Sequence, residues 1–343
     1  MSIPVDVTNI KGLRPTEASQ PVLSLVIPLF NEAANLGHLF DRVKAVLDRI
    51  GLSYEIVCVD DGSSDDTVAR LVDQHRADPR IKVVELSRNF GKELALTAGL
   101  RHAAGQAVVM IDADLQHPPE MVEQMVAEWR RGWEMVIAVR RSRDTESALK
   151  RINARLFYWL FTRISETKIR PDAGDFRLLD RKVVDVLNRM PEHIRFMKGL
   201  YSWVGFRQTV LPYDVTPRME GKSKWSPLKL WGLALDGLTS FTTVPLQVWT
   251  LVGTVTATLG LGYGLFLILK TIILGIDVPG YASLMVAVLF FGGMQMITLG
   301  VIGEYLGRVF KEVKNRPLYV VRNAYGCADQ AEAAPAANLT ADT

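Results

Sequence analysis

The chain has 343 residues, enough for two or three domains, and a formal net charge of +3, which gives no indication of nucleic-acid binding. Its two cysteines, Cys58 and Cys327, are too few for a disulfide framework and their spacing offers no metal site, so we expect a reducing, cytosolic environment. Residues 1–20 are polar and lack an apolar core, and they are predicted to be a flexible N-terminal segment rather than a signal peptide.

From residue 21 onward, short apolar runs alternate with amphipathic stretches. The runs predict strands at 22–29, 54–59, 81–86, 107–111 and 135–139, and the stretches predict helices at 32–50, 65–75, 92–104 and 119–131. This β-α-β-α order predicts an α/β fold with a mostly parallel sheet and helices on both faces. Ligands of such sheets bind beyond the carboxyl ends of the strands, so the residues that follow each strand are the candidates for function.

The fourth predicted strand leads into Asp112, Asp114 and Gln116, and Pro118 and Pro119 end the segment. Alternate residues of an extended chain face the same side, so these three polar side chains can converge. Two carboxylates and an amide oxygen suit Mg²⁺ or Mn²⁺, with a phosphate completing the coordination shell. A surface turn rich in Asp and Pro is the alternative for this segment taken alone.

Polar residues also follow the other strands. Asn31 and Glu32 come after the first strand and Asp60 comes at the end of the second, whereas Ser64 or Asp65 could instead cap the next helix. Acids gathered at one end of a sheet indicate a metal-bound nucleotide. The sequence contains no G-x-x-x-x-G-K-[ST] and no strand-linked G-x-G-x-x-G, which argues against an NTPase and a dinucleotide dehydrogenase.

Three motifs occur in order along the predicted sheet: V-I-P-L-F-N-E at 26–32, V-D-D-G-S-S-D at 59–65 and D-A-D-L-Q-H-P-P at 112–119. Together they resemble family 2 glycosyltransferases with the GT-A fold (Rossmann-like, with a mostly parallel sheet). More narrowly, they resemble polyprenyl-phosphate glycosyltransferases such as bactoprenol glucosyltransferases and dolichyl-phosphate mannose synthases. The resemblance implies a site for a nucleotide sugar formed by Pro28, Asn31, Glu32, Asp60, Asp112 and Asp114, and a metal site at Asp112, Asp114 and Gln116.

A G-D-F-R-L segment at 174–178 could be a simple turn. The resemblance implies that its Asp175 is the catalytic aspartate, acting as base or as positioning residue. A lipid phosphate is mostly deprotonated at pH 7, because its second pKa is about 6, so it needs orientation and charge screening more than a strong base.

Basic residues follow the fifth strand and recur in a loop at 217–225 with a central glycine. Such a loop suits the neutralisation of phosphate oxygens of the donor or the acceptor, although it could be a solvated loop before a membrane. The predicted phosphate- and acceptor-binding residues are Arg140, Arg143, Arg218, Lys222 and Lys224.

Two amphipathic helices, at 149–165 and 226–240, are predicted to lie in a membrane interface. The first, which is basic and rich in aromatics, could instead be an ordinary helix docked on the sheet. Two uncharged runs, at 246–269 and 284–303, are long enough to span a bilayer.

We therefore predict a catalytic domain at 21–225, a juxtamembrane helix at 226–245, two transmembrane helices within 246–306, and a tail at 307–343 with a disordered end. Basic residues follow the second span, so the positive-inside rule puts the catalytic domain and the tail in the cytoplasm of a multi-pass inner- or plasma-membrane protein. Two G-x-x-x-G motifs, at 260 and 303, together with the oligomers of the family, suggest a homo-oligomer.

The function that the resemblance implies is inverting transfer of a hexose to undecaprenyl phosphate at the cytoplasmic membrane face. The segment G-L-Y-S-W-V-G-F-R-Q at 199–208 resembles the glucosyltransferase branch, which favours UDP-glucose over GDP-mannose as donor. A processive polysaccharide synthase is disfavoured because no Q-x-x-R-W occurs. A catalytically silent membrane scaffold is disfavoured by the intact acidic residues.

Overall fold

The computed structural model describes residues 20–141, 173–193, 195–214, 244–274 and 280–327. In these residues the strands are β1 (Leu23–Leu29), β2 (Tyr54–Asp60), β3 (Ile81–Leu86), β4 (Ala107–Met110), β5 (Met135–Arg140), β6 (Ala173–Asp180), β7 (Gln208–Tyr213) and β8 (Val321–Tyr325). The helices are α1 (Leu36–Ile50), α2 (Thr67–Ala77), α3 (Lys92–His102), α4 (Met121–Arg130), α5 (Arg181–Arg189), α6 (Met197–Trp203), α7 (Val244–Leu274) and α8 (Tyr281–Val313).

The strands form one mixed sheet in the order β7-β5-β6-β4-β1-β2-β3-β8. The pairs β1–β2, β1–β4, β2–β3 and β5–β7 are parallel, whereas β6 is antiparallel to β4 and β5, and β8 is antiparallel to β3. The predicted α/β, mostly parallel fold is therefore confirmed. The two antiparallel strands were not predicted, and the G-D-F-R-L segment lies within β6 rather than in a turn.

Hydrophobic clusters cover both faces of the sheet. On β1, Leu25 and Ile27 join a cluster that includes α1, α2 and α4, while Val26 joins a cluster that includes α3, α5 and α6. Strands buried on both faces read as continuous apolar runs, which is why β1 to β5 could be located from the sequence.

The first two helices begin later than the sequence predicts. Helix α1 begins at Leu36 rather than at residue 32, and α2 begins at Thr67 rather than at 65. Asn31 has a left-handed backbone conformation, with φ of 55°, so the chain turns directly after β1. The residues between β1 and α1 instead form a loop at the carboxyl edge of the sheet.

Helices α7 and α8 are long and apolar enough to cross a membrane. The qualifying segments are Val248–Leu267, with a mean hydropathy of 1.5, and Val286–Val313, with a mean hydropathy of 1.9. Large apolar side chains such as Leu259 and Ile272 are 69% and 75% exposed. The predicted interfacial helices at 149–165 and 226–240 and the predicted disordered ends lie outside the described residues.

The chain after α8 returns to the sheet. Glu85 of β3 accepts hydrogen bonds from Arg322 at 3.1 Å and from Asn323 at 2.7 Å, and the Ser87 amide donates to the Val320 carbonyl at 2.9 Å. These contacts make β8 an additional strand beside β3. They connect the second apolar helix to the strand whose following loop reaches the candidate site.

Candidate active site

The candidate site lies at the carboxyl ends of β1, β2, β3 and β4, where four loops meet. Strand β6 also reaches this edge because it runs antiparallel to β4, with Met110 opposite Arg177. If this register continues for two more residues, Asp175 lies opposite Asp112. The sheet topology thus brings the predicted metal ligand and the predicted catalytic residue together from distant parts of the chain.

Asn31 and Glu32 join the loops that follow β1 and β2. The Asn31 amide donates to Ser63 Oγ at 2.9 Å, and Asn31 Oδ1 accepts from the Ser64 amide at 2.8 Å. The Glu32 amide donates to Thr67 Oγ1 at 3.0 Å. These bonds fix the shape of the predicted nucleotide site, and Pro28, near the end of β1, lies beside it in parallel register with β2.

Asp60 is fully buried at the end of β2. Its Oδ2 accepts a hydrogen bond from the Ser63 amide at 3.0 Å, and burial raises the pKa of its carboxyl group despite that bond. Its Oδ1 has no hydrogen-bond partner among the described residues. A buried acceptor of this kind is costly, so Asp60 is well suited to accept a hydrogen bond from a nucleotide.

Asp61 connects the loop after β2 to the loop after β3. Its two carboxylate oxygens accept from the backbone amides of Phe90, at 2.7 Å, and Gly91, at 2.9 Å. Asp61 belongs to the V-D-D-G-S-S-D motif, and the sequence alone gives it no role. The backbone contacts show that it positions the loop leading to Lys92.

Gly62 lies in the loop after β2, where it packs closely against the loop after β3, and replacing it should damage the site. It has φ of 70°, and an added Cβ would lie 2.4 Å from the carbonyl carbon of Arg88. Gly51, with φ of 69°, has nothing within 4 Å of such a Cβ and serves as the matched control. We expect alanine to cost about 1–2 kcal/mol at either position because of the backbone conformation, and about 1–3 kcal/mol more at Gly62 because of overpacking.

The check for Gly62→Ala and Gly51→Ala is thermal unfolding in detergent, followed by near-UV circular dichroism. The melting temperature should fall further in Gly62→Ala. Equal decreases in the two variants would show that the contact with the Arg88 backbone does not restrict the loop.

The loop after β4 differs from the predicted extended chain. Strand β4 ends at Met110, the chain turns, and Leu115 has φ of 53°. Asp112, Asp114 and Gln116 are nevertheless all half-buried, whereas the residues between them are buried. The Gln116 amide donates to Asp114 Oδ1 at 3.2 Å, which stabilises the turn. The predicted extended chain is therefore wrong, but Asp112, Asp114 and Gln116 are all partly exposed.

Lys92, the first residue of α3, connects the two candidate acidic groups. Its Nζ lies 2.7 Å from Asp112 Oδ1 and 3.0 Å from Asp175 Oδ2. Burial opposes the charged form of Asp175, but the positive charges of Lys92 and Lys198 outweigh burial and hold the pKa of Asp175 below its usual range. A carboxylate held in its ionised form is a weak base, which favours a positioning role for Asp175.

A buried polar layer lies next to Asp175. The Arg177 guanidinium is 3.9 Å from the centre of the Tyr201 ring, a cation–π arrangement, and it donates to the Gly174 carbonyl. Burial, and then the nearby charge of Asp175, raise the pKa of Glu93 above its usual value. A neutral Glu93 beside an ionised Asp175 avoids placing two like charges together.

An aromatic cluster connects the loop after β4 to β6 and β7. His117 stacks on Phe176 with ring centres 4.9 Å apart, and Tyr213 meets both rings edge-on at 5.9 Å. Arg140 Nε donates to the Tyr213 hydroxyl at 3.4 Å. Arg140 therefore lies near the predicted metal loop, whereas Arg143, Arg218, Lys222 and Lys224 lie outside the described residues.

Asp112, Asp114 and Gln116 carry oxygen ligands of the kind that a hard divalent cation prefers. Asp112 already contacts one cation, the Lys92 ammonium, and His117 Nδ1 lies 3.8 Å from Asp112 Oδ2. In the part of the chain that the structure describes, no three His, Cys, Asp or Glu side chains gather closely enough to hold a metal by themselves. A shell made of Asp112, Asp114 and Gln116 would need phosphate oxygens to complete it, as expected for an ion that binds with a nucleotide.

Comparisons with known proteins agree with this architecture. Residues 24–187 match glycosyl transferase family 2, and residues 244–309 match the GtrB C-terminal hairpin. An uncharacterized glycosyltransferase of Synechocystis sp. is 56% identical over 304 residues, which are 89% of this chain and 96% of that protein. The SfII prophage-derived bactoprenol glucosyl transferase of Shigella flexneri is 44% identical over 303 residues, which are 88% and 98% of the two chains.

Among solved structures, glucosyl-3-phosphoglycerate synthase from Mycobacterium tuberculosis, in complex with Mn²⁺, UDP-glucose and phosphoglyceric acid, is similar with a TM-score of 0.42 and 19% identity. The match covers 64% of this chain and 78% of that one. The relatives in Synechocystis and Shigella align over nearly their whole length, and the family match at residues 24–187 includes the acidic loops after β1, β2 and β4. The chain belongs to glycosyl transferase family 2 and has the GT-A fold.

Proposed function

We propose that this glycosyltransferase transfers a hexose, with inversion, from a nucleotide diphosphate sugar to a polyprenyl phosphate. UDP-glucose and undecaprenyl phosphate are the proposed substrates, and the products are a polyprenyl-phosphate sugar and a nucleoside diphosphate. The observation that carries the proposal is the Asp112–Lys92–Asp175 cluster at the carboxyl edge of the sheet, in a chain that continues into two apolar helices. The glucosyl transferase names of several relatives support glucose over mannose.

The nucleotide would bind in the loops after β1 and β2. Asp60 can accept a hydrogen bond through Oδ1, while Asn31 and Glu32 hold the surrounding loops in place. Mg²⁺ or Mn²⁺ held by Asp112, Asp114 and Gln116 would screen the diphosphate and stabilise the leaving group.

The acceptor phosphate would approach beside Asp175. Because its own charge makes a lipid phosphate nucleophilic, the protein needs mainly to orient it and neutralise repulsion from the donor. Positioning of this kind can supply about 7–11 kcal/mol. Arg140 lies close enough to the site to contribute, and we propose Arg143, Arg218, Lys222 and Lys224 as further cations for phosphate oxygens.

We further propose that α7 and α8 span the membrane and leave the catalytic domain and the tail in the cytoplasm. The basic residues after α8 support this orientation, and so does the pairing of β8 with β3, because it requires the tail and the catalytic sheet to lie on the same side. Close packing at the two G-x-x-x-G motifs would permit a homo-oligomer.

The test uses the full chain purified in detergent, undecaprenyl phosphate, and a panel of radiolabelled nucleotide sugars with MnCl₂ or MgCl₂. We expect label from UDP-glucose to enter the organic phase and this transfer to stop with EDTA. Transfer from GDP-mannose alone would show that GDP-mannose, and not UDP-glucose, is the donor. Folded protein that labels no lipid with any donor would contradict the proposed acceptor. Transfer that persists with EDTA would contradict the metal requirement.

A further inference from the structure

Lys92 is held in place by the loop that precedes it. Gly91, directly before it, has φ of 101°, and the amides of Phe90 and Gly91 are both bound by the Asp61 carboxylate. The chain therefore enters α3 at a fixed position beside the loop after β4. From there the Lys92 ammonium reaches both oxygens of Asp112, at 2.7 and 2.9 Å, and Asp175 Oδ2, at 3.0 Å.

Helix stability does not explain a lysine at this position. The amino end of a helix carries partial positive charge, so a cation in the first turn is unfavourable by roughly 0.3–1 kcal/mol. The two carboxylates do explain it. Asp112 and Asp175 both lie within 3.0 Å of the same nitrogen, and two anions this close together would repel each other without a cation between them.

The Lys92 side chain is also accessible. It remains 40% exposed while it contacts Asp112 and Asp175, which are 27% and 14% exposed. A long, flexible lysine stem with one end at the protein surface can change its contacts without a movement of the backbone.

We propose that Lys92 is the resident counter-ion of this site and competes with the divalent cation for Asp112. In the metal-free protein the ammonium neutralises Asp112 and Asp175 together. When the ion binds, it replaces the ammonium at Asp112, and Lys92 remains paired with Asp175. Lys92 is then a positioning residue: its shift from Asp112 to Asp175 links metal binding to the part of the site that receives the acceptor phosphate. This inference rests on the proposed metal site, but it does not require transfer to be observed.

The test measures Mn²⁺ binding to the full chain in detergent, both alone and with UDP to supply the phosphate oxygens, from the electron paramagnetic resonance signal of free Mn²⁺. Lys92→Gln removes the competing charge, so Mn²⁺ should bind at least about fivefold more tightly than to the wild type. Lys92→Arg keeps the charge and should bind Mn²⁺ like the wild type. Unchanged or weaker binding in Lys92→Gln, or an equal increase in both variants, would overturn the proposal.

Lys44→Gln is the matched control for the loss of one positive charge. Lys44 pairs with Asp78 at 3.6 Å, and Asp78 precedes β3 at the opposite edge of the sheet. Its Mn²⁺ affinity should equal that of the wild type, and tighter binding there would mean that net charge alone accounts for the effect.

The removal of Lys92 also exposes two carboxylates to mutual repulsion. If Lys92→Gln folds only when Mn²⁺ is present, as judged by circular dichroism, the ion has taken over the neutralising role of the lysine, which supports the proposal. A variant that stays unfolded with Mn²⁺ would contradict the exchange of one cation for the other. A wild-type protein that binds no Mn²⁺, even with UDP-glucose added, would instead refute the metal site itself.

Discussion

Asp114→Asn should reduce sugar transfer by about 100-fold or more while leaving insertion into the membrane unchanged. The substitution removes a charged ligand from the proposed metal shell and replaces it with a neutral group of nearly the same size. Asn retains an oxygen that can accept the hydrogen bond from the Gln116 amide, so the turn after β4 should keep its shape. The loss should therefore come from weakened metal and diphosphate binding rather than from a misfolded loop.

The measurement is transfer of radiolabelled glucose to lipid over a range of MnCl₂ concentrations, with membrane fractionation for insertion. Asp73→Asn is the control, because Asp73 is 71% exposed and pairs only with the exposed Arg76 among the contacts that the structure describes. It should transfer glucose at the wild-type rate. Full activity in Asp114→Asn would refute the assignment of Asp114 to the metal, and loss of insertion would assign it a structural role.

The acidic loops could be predicted from the sequence because each follows an apolar run that is buried on both faces. Asp60, Asp112 and Asp114 come directly after such runs, and the carboxyl ends of parallel strands share one edge. Local sequence order was therefore enough to group these residues. It was not enough for the exact path of the chain, since the left-handed residues Asn31 and Leu115 turn two of the loops.

The antiparallel strands could not be predicted in the same way. Strand β6 contains Arg177, which is buried against Tyr201, so its sequence lacks the continuous apolar pattern of the other central strands. Strand β8 is a short edge strand whose middle residues, Arg322, Asn323 and Ala324, are exposed. Its pairing with β3 depends on contacts with Glu85, more than 200 residues away in the chain.

The role of Lys92 was missed for a related reason. Its partner Asp112 lies in the loop after β4 and its partner Asp175 lies in β6, and no spacing in the sequence relates the three residues. The insertion of β6 between β4 and β5 is what brings Asp175 level with Asp112. A lysine directly after a glycine, at the start of a helix on the carboxyl edge, was the only local signal.

Asp175→Asn should lower kcat by about 100-fold or more, with donor binding unchanged when Mn²⁺ is saturating. Asp175 contacts Lys92 rather than the loops after β1 and β2, so the nucleotide site should remain intact. The Asn side chain keeps an oxygen that can accept a hydrogen bond from Lys92. It lacks the negative charge that holds the Lys92 ammonium beside the proposed acceptor. The measurements are the rate of transfer at saturating substrates and the affinity for UDP-glucose. Asp185→Asn, a half-exposed position on α5, serves as the control.

The pH dependence of Asp175→Asn separates a positioning role from a role as base. Despite burial, the positive charges of Lys92 and Lys198 hold the pKa of Asp175 below its usual range, so we expect this carboxylate to be ionised at neutral pH. The lipid phosphate, with a second pKa of about 6, should then cause the fall in rate as the pH decreases below that value. Asp175→Asn should keep this acidic decrease at a lower overall rate, because the titrating group is on the acceptor. If the decrease disappears in the variant, Asp175 itself takes up the proton and is the base.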